Sequence, residues 1–417
     1  MTERGPTPSW GTGALMVAIR VVYASNWFLL GPVLPQVAAS FHVGGAEATL
    51  AFWSFLVGVG AFQIPAGLAA SRWGARPLVV AGLLLLGLAE VGSGFSPTFP
   101  IFLALRFAMG VGAALFFSTG VALVSQYFPG ERQGLFVGAY YGAFNVGGAL
   151  GVFLPALLAS RVPWPTVTIA FGLVTALSAL VALGGLPAGS DEGEDRSPPS
   201  ERSRDSLFHS RPLLFMGLSL VGLWAASYAL VEYLVPYAVS FRGFSPAGAG
   251  AIDGLGFGAS LAGSSLGGVL ADRSPRLLAT FVAVCVAAAI SVLFIPFTPG
   301  AAISVWVLAF GAFQGMGFSL LYLLPLKFRW VSPRTYSLGL GLFETLQVLL
   351  GSLLVLAGGV FFFGPGHPDA GWVYLALVTV LSLGTLLGLR SSRGSPRDPA
   401  PQGGAGTDSG GTGSSVR

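Results

Sequence analysis

Charge is what this sequence has least of. Only 9% of its 417 residues are Asp, Glu, Lys or Arg, where a soluble chain of this length carries roughly a quarter. That deficit excludes a surface built wholly to meet water. Cysteine is almost absent: Cys285 stands alone in an apolar run, so no intramolecular disulfide can form and the thiol is expected to pack as a small hydrophobe. The three histidines, His42, His209 and His367, fall singly in polar connections and give no metal-ligand spacing. No cofactor or metal is expected. There is no Gly-x-x-x-x-Gly-Lys-Ser/Thr loop, which excludes direct use of ATP. The only lysine is Lys327, and the dominance of arginine reads as compositional bias. The net charge of +4 is scattered through short connections and tails without a basic stripe, so no nucleic-acid partner is expected.

What the chain does have is apolar length. Hydrophobic residues make up 53% of it and the mean hydropathy is +0.76. The apolar residues gather in runs of about 18 or more, long enough to cross a hydrocarbon core of about 30 Å. The first of them lacks the short core and cleavage site of a signal peptide and is expected to remain as a helix. Spans are expected at 13–37, 47–70, 77–95, 99–126, 134–160 and 165–186, then at 212–240, 247–271, 276–296, 300–326, 335–363 and 371–389. The fold class this implies is an all-α membrane protein with twelve transmembrane helices in two pseudo-symmetric six-helix bundles. An N-terminal tail (1–11) leads into the first bundle (12–186), and a Ser-, Pro- and charge-rich linker (187–211) into the second (212–389). A Gly/Ser/Pro-rich tail (390–417) follows, and both it and the linker are too polar to bury themselves. Lys327 and most arginines, among them Arg4, Arg72, Arg76, Arg132, Arg211, Arg273, Arg276 and Arg390, fall in one alternating set of connections. The other set holds only Arg161 and Arg242. Positive residues mark the cytoplasmic side, so both termini and the linker are expected in the cytoplasm and the protein in the cytoplasmic (inner) membrane.

The halves repeat one another. Leu34-Pro35, Phe41, a span and then Gly67-Leu-Ala-Ala-Ser71-Arg72-Trp73-Gly74-Ala75-Arg76 are matched by Val235-Pro236, Phe241, a span and Gly268-Val-Leu-Ala-Asp272-Arg273-Ser274-Pro275-Arg276. Each half also opens its last span after a tryptophan, Trp164 and Trp372. Parallel repeats of this kind place a binding site near mid-membrane, where the halves meet.

These residues resemble the major facilitator superfamily, and the resemblance covers essentially the whole chain. The family's signature between spans two and three, Gly-x-x-x-Asp-Arg-x-Gly-Arg-Arg/Lys, is met in the second copy at Gly268, Asp272, Arg273 and Arg276. The first copy keeps Gly67, Arg72, Gly74 and Arg76 but has Ser71 for the aspartate. In the family these loops latch the cytoplasmic side. Arg106 and Gly110 on the fourth span, followed by Gly112, are similar to the family's Arg-x-x-x-Gly-x-Gly motif, whose small residues permit close helix contact. The fifth span, with Gly142, Asn145, Gly147, Gly148 and Gly151, resembles that of nitrate/nitrite porters. Gln63 and Ser264 occupy the places of that branch's two arginines, however, which argues against nitrate.

A charge inside hydrocarbon costs several kcal/mol, so intramembrane ionisable residues are functional candidates. The resemblance places the first span on the central cavity. Arg20, Tyr23, Asn26 and Trp27 there could bind an anion, unless Arg20 snorkels to the headgroups. On the seventh span Trp224, Tyr228 and Glu232 follow at i, i+4 steps on one face. Glu344 on the eleventh span could reach Gln63 on the second. Glu232 and Glu344 are the candidate proton-coupling residues. Glu90 and Asp253, near the outer ends of their spans, are expected to be solvated. Tyr141, Asn145, Gln314 and Tyr322 complete an expected pocket of aromatic and amide character.

The resemblance implies a secondary transporter, not an enzyme, working by alternating access and driven by an ion gradient, with a proton the expected coupling ion. Its expected partners are a small solute, the coupling ion and the lipid bilayer, and a monomer is expected. The expected cargo is a small organic anion such as a monocarboxylate. Export of amphipathic drugs in exchange for protons, and a transporter-like sensor, are the alternatives.

Overall fold

The computed structural model describes residues 9–128, 133–159, 161–187, 210–327, 336–363 and 365–388. The expected linker and tails fall almost wholly outside these residues. Among the described residues every regular element is a helix. In an apolar solvent a backbone must satisfy its own hydrogen bonds, and a helix does so within one segment.

The first half comprises α1 (Trp10–Phe28), α2 (Leu30–Phe41), α3 (Gly45–Trp73), α4 (Ala75–Gly94), α5 (Phe99–Tyr127), α6 (Gln133–Leu158) and α7 (Trp164–Gly185). The second comprises α8 (Arg211–Ser219), α9 (Val221–Arg242), α10 (Pro246–Arg273), α11 (Leu277–Phe294), α12 (Ile303–Lys327), α13 (Tyr336–Gly358) and α14 (Pro368–Leu383). Eleven stretches are long and apolar enough to cross a membrane, with α8 and α9 joined in one of them; the bent pair α1–α2 makes the twelfth. The expected spans match these helices to within a few residues, except that the first is broken by a bend of 42°. Pro32 explains the break. It has no N–H to give the carbonyl of Phe28, and its ring crowds that carbonyl.

Each half packs mainly within itself, α3 and α4 on α5 in the first and α10 on α12 in the second. Small residues set these distances. A Cβ at Gly110 would overlap the carbonyl oxygen of Phe55 on α3. Gly311 on α12 meets the carbonyl of Gly256 on α10 in the same way. Those two contacts are related by the same sequence offset as Gly67 and Gly268, so the internal repeat extends to backbone contacts.

Between the halves, α2 touches α9, α3 touches α13, and α6 touches α10. The first and third lie toward the same end, while α3 meets α13 near mid-helix at Gly60 and Gln63. A Cβ on Gly31 would strike the carbonyl of Val231 and lie 3.0 Å from the Cα of Glu232. The Tyr233 hydroxyl donates to Thr49 Oγ1 at 3.1 Å, and Gly250 and Gly254 of α10 rest on Ala156 and Ala149 of α6. Gly31 and Glu232 are themselves repeat mates, as are Trp27 and Tyr228, whose ring centroids are 6.0 Å apart. Contacts between mates mark the pseudo-twofold axis.

Replacing Gly31 by valine is therefore expected to force α2 and α9 apart. Overpacking of this kind costs about 1–3 kcal/mol. Thermal unfolding of the purified variant should show lower stability, and a cysteine reporter at Thr49 should label faster. Unchanged melting and labelling would mean that the seam does not depend on this contact.

Candidate functional site

The halves enclose a cavity of about 930 Å³ whose wall runs from Asp253 and Val307 to Gln126, Gly138, Ser265 and Gly268. Gln126, Gly138 and Ser265 are exposed, so the cavity opens at the end carrying the loops after Trp73 and Arg273. The opposite end is closed by the seams of α2 with α9 and α6 with α10, and by Tyr233 of α9 against Thr49 of α3.

Arg20, on α1, is the most telling group on this wall. It is only 1% exposed, so it does not snorkel. Its Cζ stands 4.7–4.9 Å from the ring centroids of Tyr23, Phe117, Tyr140 and Phe144. Aromatic faces attract a guanidinium, which compensates part of its lost hydration. Nε and Nη1 nevertheless have no hydrogen-bond partner, and among the described residues no carboxylate pairs with Arg20. Tyr140 and Phe144 were not expected in this role. Their i, i+4 spacing on the fifth span was the available signal, one residue from the chosen Tyr141 and Asn145.

Trp27, Tyr141, Asn145, Trp224, Tyr228, Gln314 and Glu344 all line the cavity. Trp224 and Tyr228 stack at 3.9 Å. Glu344 Oε2 accepts from Gln63 Nε2 at 3.3 Å, joining α13 to α3 across the halves. Tyr322 lies on α12, with its side chain outside those described.

Three expectations change. Tyr23 does not line the cavity: its hydroxyl donates to the carbonyl of Ala113 at 3.0 Å and its ring stacks on Phe116 at 4.2 Å. Asn26 is also turned away, donating to Val22 O at 2.7 Å and to Thr175 Oγ1 at 2.8 Å. Both brace α1 against neighbouring helices. Glu232, 0% exposed, lies beside Gly31 in the seam rather than on the cavity wall. Leu230 and Val231 still line the cavity, so Glu232 is excluded by the face it presents, which is turned toward Gly31 of α2.

Glu90 and Asp253 were expected to be wetted, and neither is. Glu90 is 0% exposed and lies 3.7 Å from the equally buried Arg106. Arg106 also donates from Nε to Ala51 O at 3.3 Å and stands 5.1 Å from the Phe55 ring. Asp253 is 1% exposed and borders the cavity. Helices packed over these carboxylates exclude water even near the ends of their spans.

The sequence profile described as Major Facilitator Superfamily matches residues 16–328. The chain belongs to that superfamily. It is thus built on an architecture of membrane transporters, not of enzymes. Among curated relatives, a nitrite extrusion protein of Bacillus subtilis is 28% identical over 61% of this chain and 64% of its own. The 4-hydroxybenzoate transporter PcaK of Pseudomonas aeruginosa is 29% identical over 43% of this chain and 40% of its own. Multidrug resistance protein MdtL of Shewanella oneidensis is 28% identical over 34% and 35%. The matches thus span from about a third to just under two thirds of these relatives' lengths. Two solved structures share the fold. A D-xylose–proton symporter aligns over 89% of this chain and 96% of its own, with a TM-score of 0.74 at 14% identity. A bacterial homologue of the human lysosomal transporter Spinster, inward-facing and unoccupied, aligns over 90% and 94%, with a TM-score of 0.70 at 16% identity.

The superfamily's signature loops lie at the open end. Gly74 ends α3 at φ 84°, a conformation that favours glycine. Arg76 Nη2 donates to Leu183 O at the end of α7, 2.6 Å away. Arg72, Arg273 and Arg276 are exposed and form no ion pair among the described residues. Gly67 and Gly268 have open space at their α-carbons, and the side chains of Ser71 and Asp272 are outside those described.

Breaking a buried ion pair strands a charge and costs about 3–5 kcal/mol, whereas apolar replacement of both partners costs far less. Arg106→Met is expected to lower thermal stability sharply, and Glu90→Leu with Arg106→Met to recover most of the loss. A double variant as unstable as Arg106→Met would show that Arg106 acts through other partners.

Proposed function

We propose that this protein is a secondary active transporter that moves a small organic anion, of the monocarboxylate kind, by alternating access with proton coupling. The observation that carries the reading is Arg20: a dehydrated cation on the cavity wall, caged by aromatic rings and lacking an anion. A buried charge gains most from a partner that arrives already charged, and hydrogen bonds to charged groups are the strong ones. Trp27 and Tyr141 offer aromatic surface, while Asn145 and Gln314 offer amides to orient a carboxylate.

The direction of motion follows from the seams. Positive connections gather at the open end, which supports a cavity facing the cytoplasm in the inner membrane, with both termini on that side. Rocking of residues 12–186 against 212–389 about the axis near Trp27 and Tyr228 would close this end and open the other. Glu344 is the coupling carboxyl that the arrangement favours, since it faces the cavity while bridging the halves through Gln63. Glu232, held in the opposite seam, would instead sense opening of the outer side.

A second reading has one observation behind it. The stacked Trp224 and Tyr228, with Phe28, Phe117 and Phe257, make much of the wall aromatic, which suits amphipathic cations. Stabilisation of the purified protein by lipophilic cations and not by carboxylates would favour it.

For the principal reading, Arg20→Ala is expected to weaken binding of small carboxylates by about tenfold to a hundredfold, with Arg20→Lys between it and the parent. Titration calorimetry on purified protein checks this, and unaltered affinity would end the anion-site assignment. In proteoliposomes, Glu344→Gln is expected to abolish acceleration of uptake by a pH gradient while leaving exchange of bound solute. Gradient-driven uptake surviving in Glu344→Gln but lost in Glu232→Gln would transfer coupling to the seam.

A further inference from the structure

The cavity holds a second unpaired charge that an anion alone does not use. Asp253 on α10 is 1% exposed, borders the same cavity from the second half, and neither of its oxygens has a hydrogen-bond partner. Among the described residues no cation pairs with it. A buried carboxylate is costly unless it meets a proton or a cation.

The space between Asp253 and Arg20 is aromatic. Arg20 Cζ is 4.9 Å from the Phe144 ring, Phe144 is 5.6 Å from Phe28, and Phe28 is 4.9 Å from Phe257. Asp253 precedes Phe257 by one helical turn, a rise of about 6 Å. Both charges border one cavity, and these three rings line it with them. The rings offer the faces that stabilise ammonium groups, with Tyr228 5.8 Å from Phe28.

We propose that the cargo carries charge of both signs: an anionic group held by Arg20 and an ammonium group, primary or quaternary, held by Asp253. The proposal rests on the anion reading above and narrows it. Arg20 belongs to the first half and Asp253 to the second, so a bipolar solute would bridge the bodies that must rock together. It would also neutralise both wall charges at once. An occluded cavity would then hide no unpaired charge from water, whereas a simple carboxylate leaves Asp253 to find a proton.

The test uses the intact purified protein and three probe series of matched length. These are butyrate and hexanoate, butylamine and hexylamine, and γ-aminobutyrate and ε-aminohexanoate, with affinities taken from calorimetry or thermal stabilisation. At least one amino-carboxylate is expected to bind about tenfold or more tightly than its plain carboxylate. In Asp253→Asn that advantage is expected to vanish. Should the variant fail to fold, the comparison of probes on the parent protein still decides. Equal binding of carboxylates and amino-carboxylates overturns the bipolar proposal and leaves the anion reading standing. Proton uptake on carboxylate binding, lost in Asp253→Asn, also overturns it, by showing that Asp253 carries a proton and not cargo. If neither carboxylate series binds, the anion reading falls and this proposal falls with it.

Discussion

The close approach of α2 to α9 at Gly31 is the contact on which the rest of the arrangement depends. There the two halves meet backbone to backbone, and a single Cβ would hold them apart. The contact lies between repeat mates, Gly31 and Glu232, so it falls on the axis relating the bundles. Two similar bodies touching on their common axis can rock about it without either being remodelled. The cavity exists because the bodies meet at one end and part at the other. The residues of that seam differ in kind between the halves, glycine on one side and glutamate on the other, so the repeat is symmetric in backbone but not in chemistry.

Desolvation sorts the charges of the membrane region into those that hold the protein together and those left for something else. Glu90 and Arg106 offset one another's charge at 3.7 Å, with the Ala51 carbonyl and the Phe55 ring beside the arginine, although both Glu90 oxygens and Arg106 Nη2 lack hydrogen-bond partners. Neither borders the cavity. Arg20 and Asp253 are as deeply buried, yet each lacks a counter-ion among the described residues and each borders the cavity. The cost of an unpaired buried charge is a sizeable part of the net stability of a typical fold. Side chains carrying that cost on a cavity wall are candidates for binding rather than packing.

Much of this was legible in the sequence, and the parts that were not have a common cause. Span positions, the internal repeat and the superfamily followed from apolar length, from Leu34-Pro35 against Val235-Pro236, and from the paired glycine–arginine loops. Polarity inside an apolar run singled out Arg20, Glu232 and Glu344, and the family resemblance placed Arg20, Trp27 and Tyr228 toward the cavity and Glu344 toward Gln63. Tyr23, Asn26 and Glu232 fall elsewhere because helical spacing tells which residues share a face but not which neighbour each side of that face meets. Tyr23 and Asn26 point at α5 and α7, and Glu232 at α2 while Val231 lines the cavity. Glu90 and Asp253 were misjudged because depth along a span was taken as distance from water. In a bundle, lateral cover by neighbouring helices decides wetting. Tyr140 and Phe144 carry no charge to draw attention, although they stand one residue from the chosen Tyr141 and Asn145.

The same lateral logic separates the two carboxylates proposed for coupling. Glu344 borders the cavity and accepts from Gln63 of the opposite half, so both the cargo and the relative position of the halves can alter its surroundings. Glu232 is shut between α9 and α2, and neither of its oxygens has a hydrogen-bond partner among the described residues. Opening the seam would bring water to Glu232. In the proposed cycle Glu344 would meet the cargo and Glu232 the change in the seam. Trp27 and Tyr228, which line the cavity and touch on the axis, join the two halves between those carboxylates.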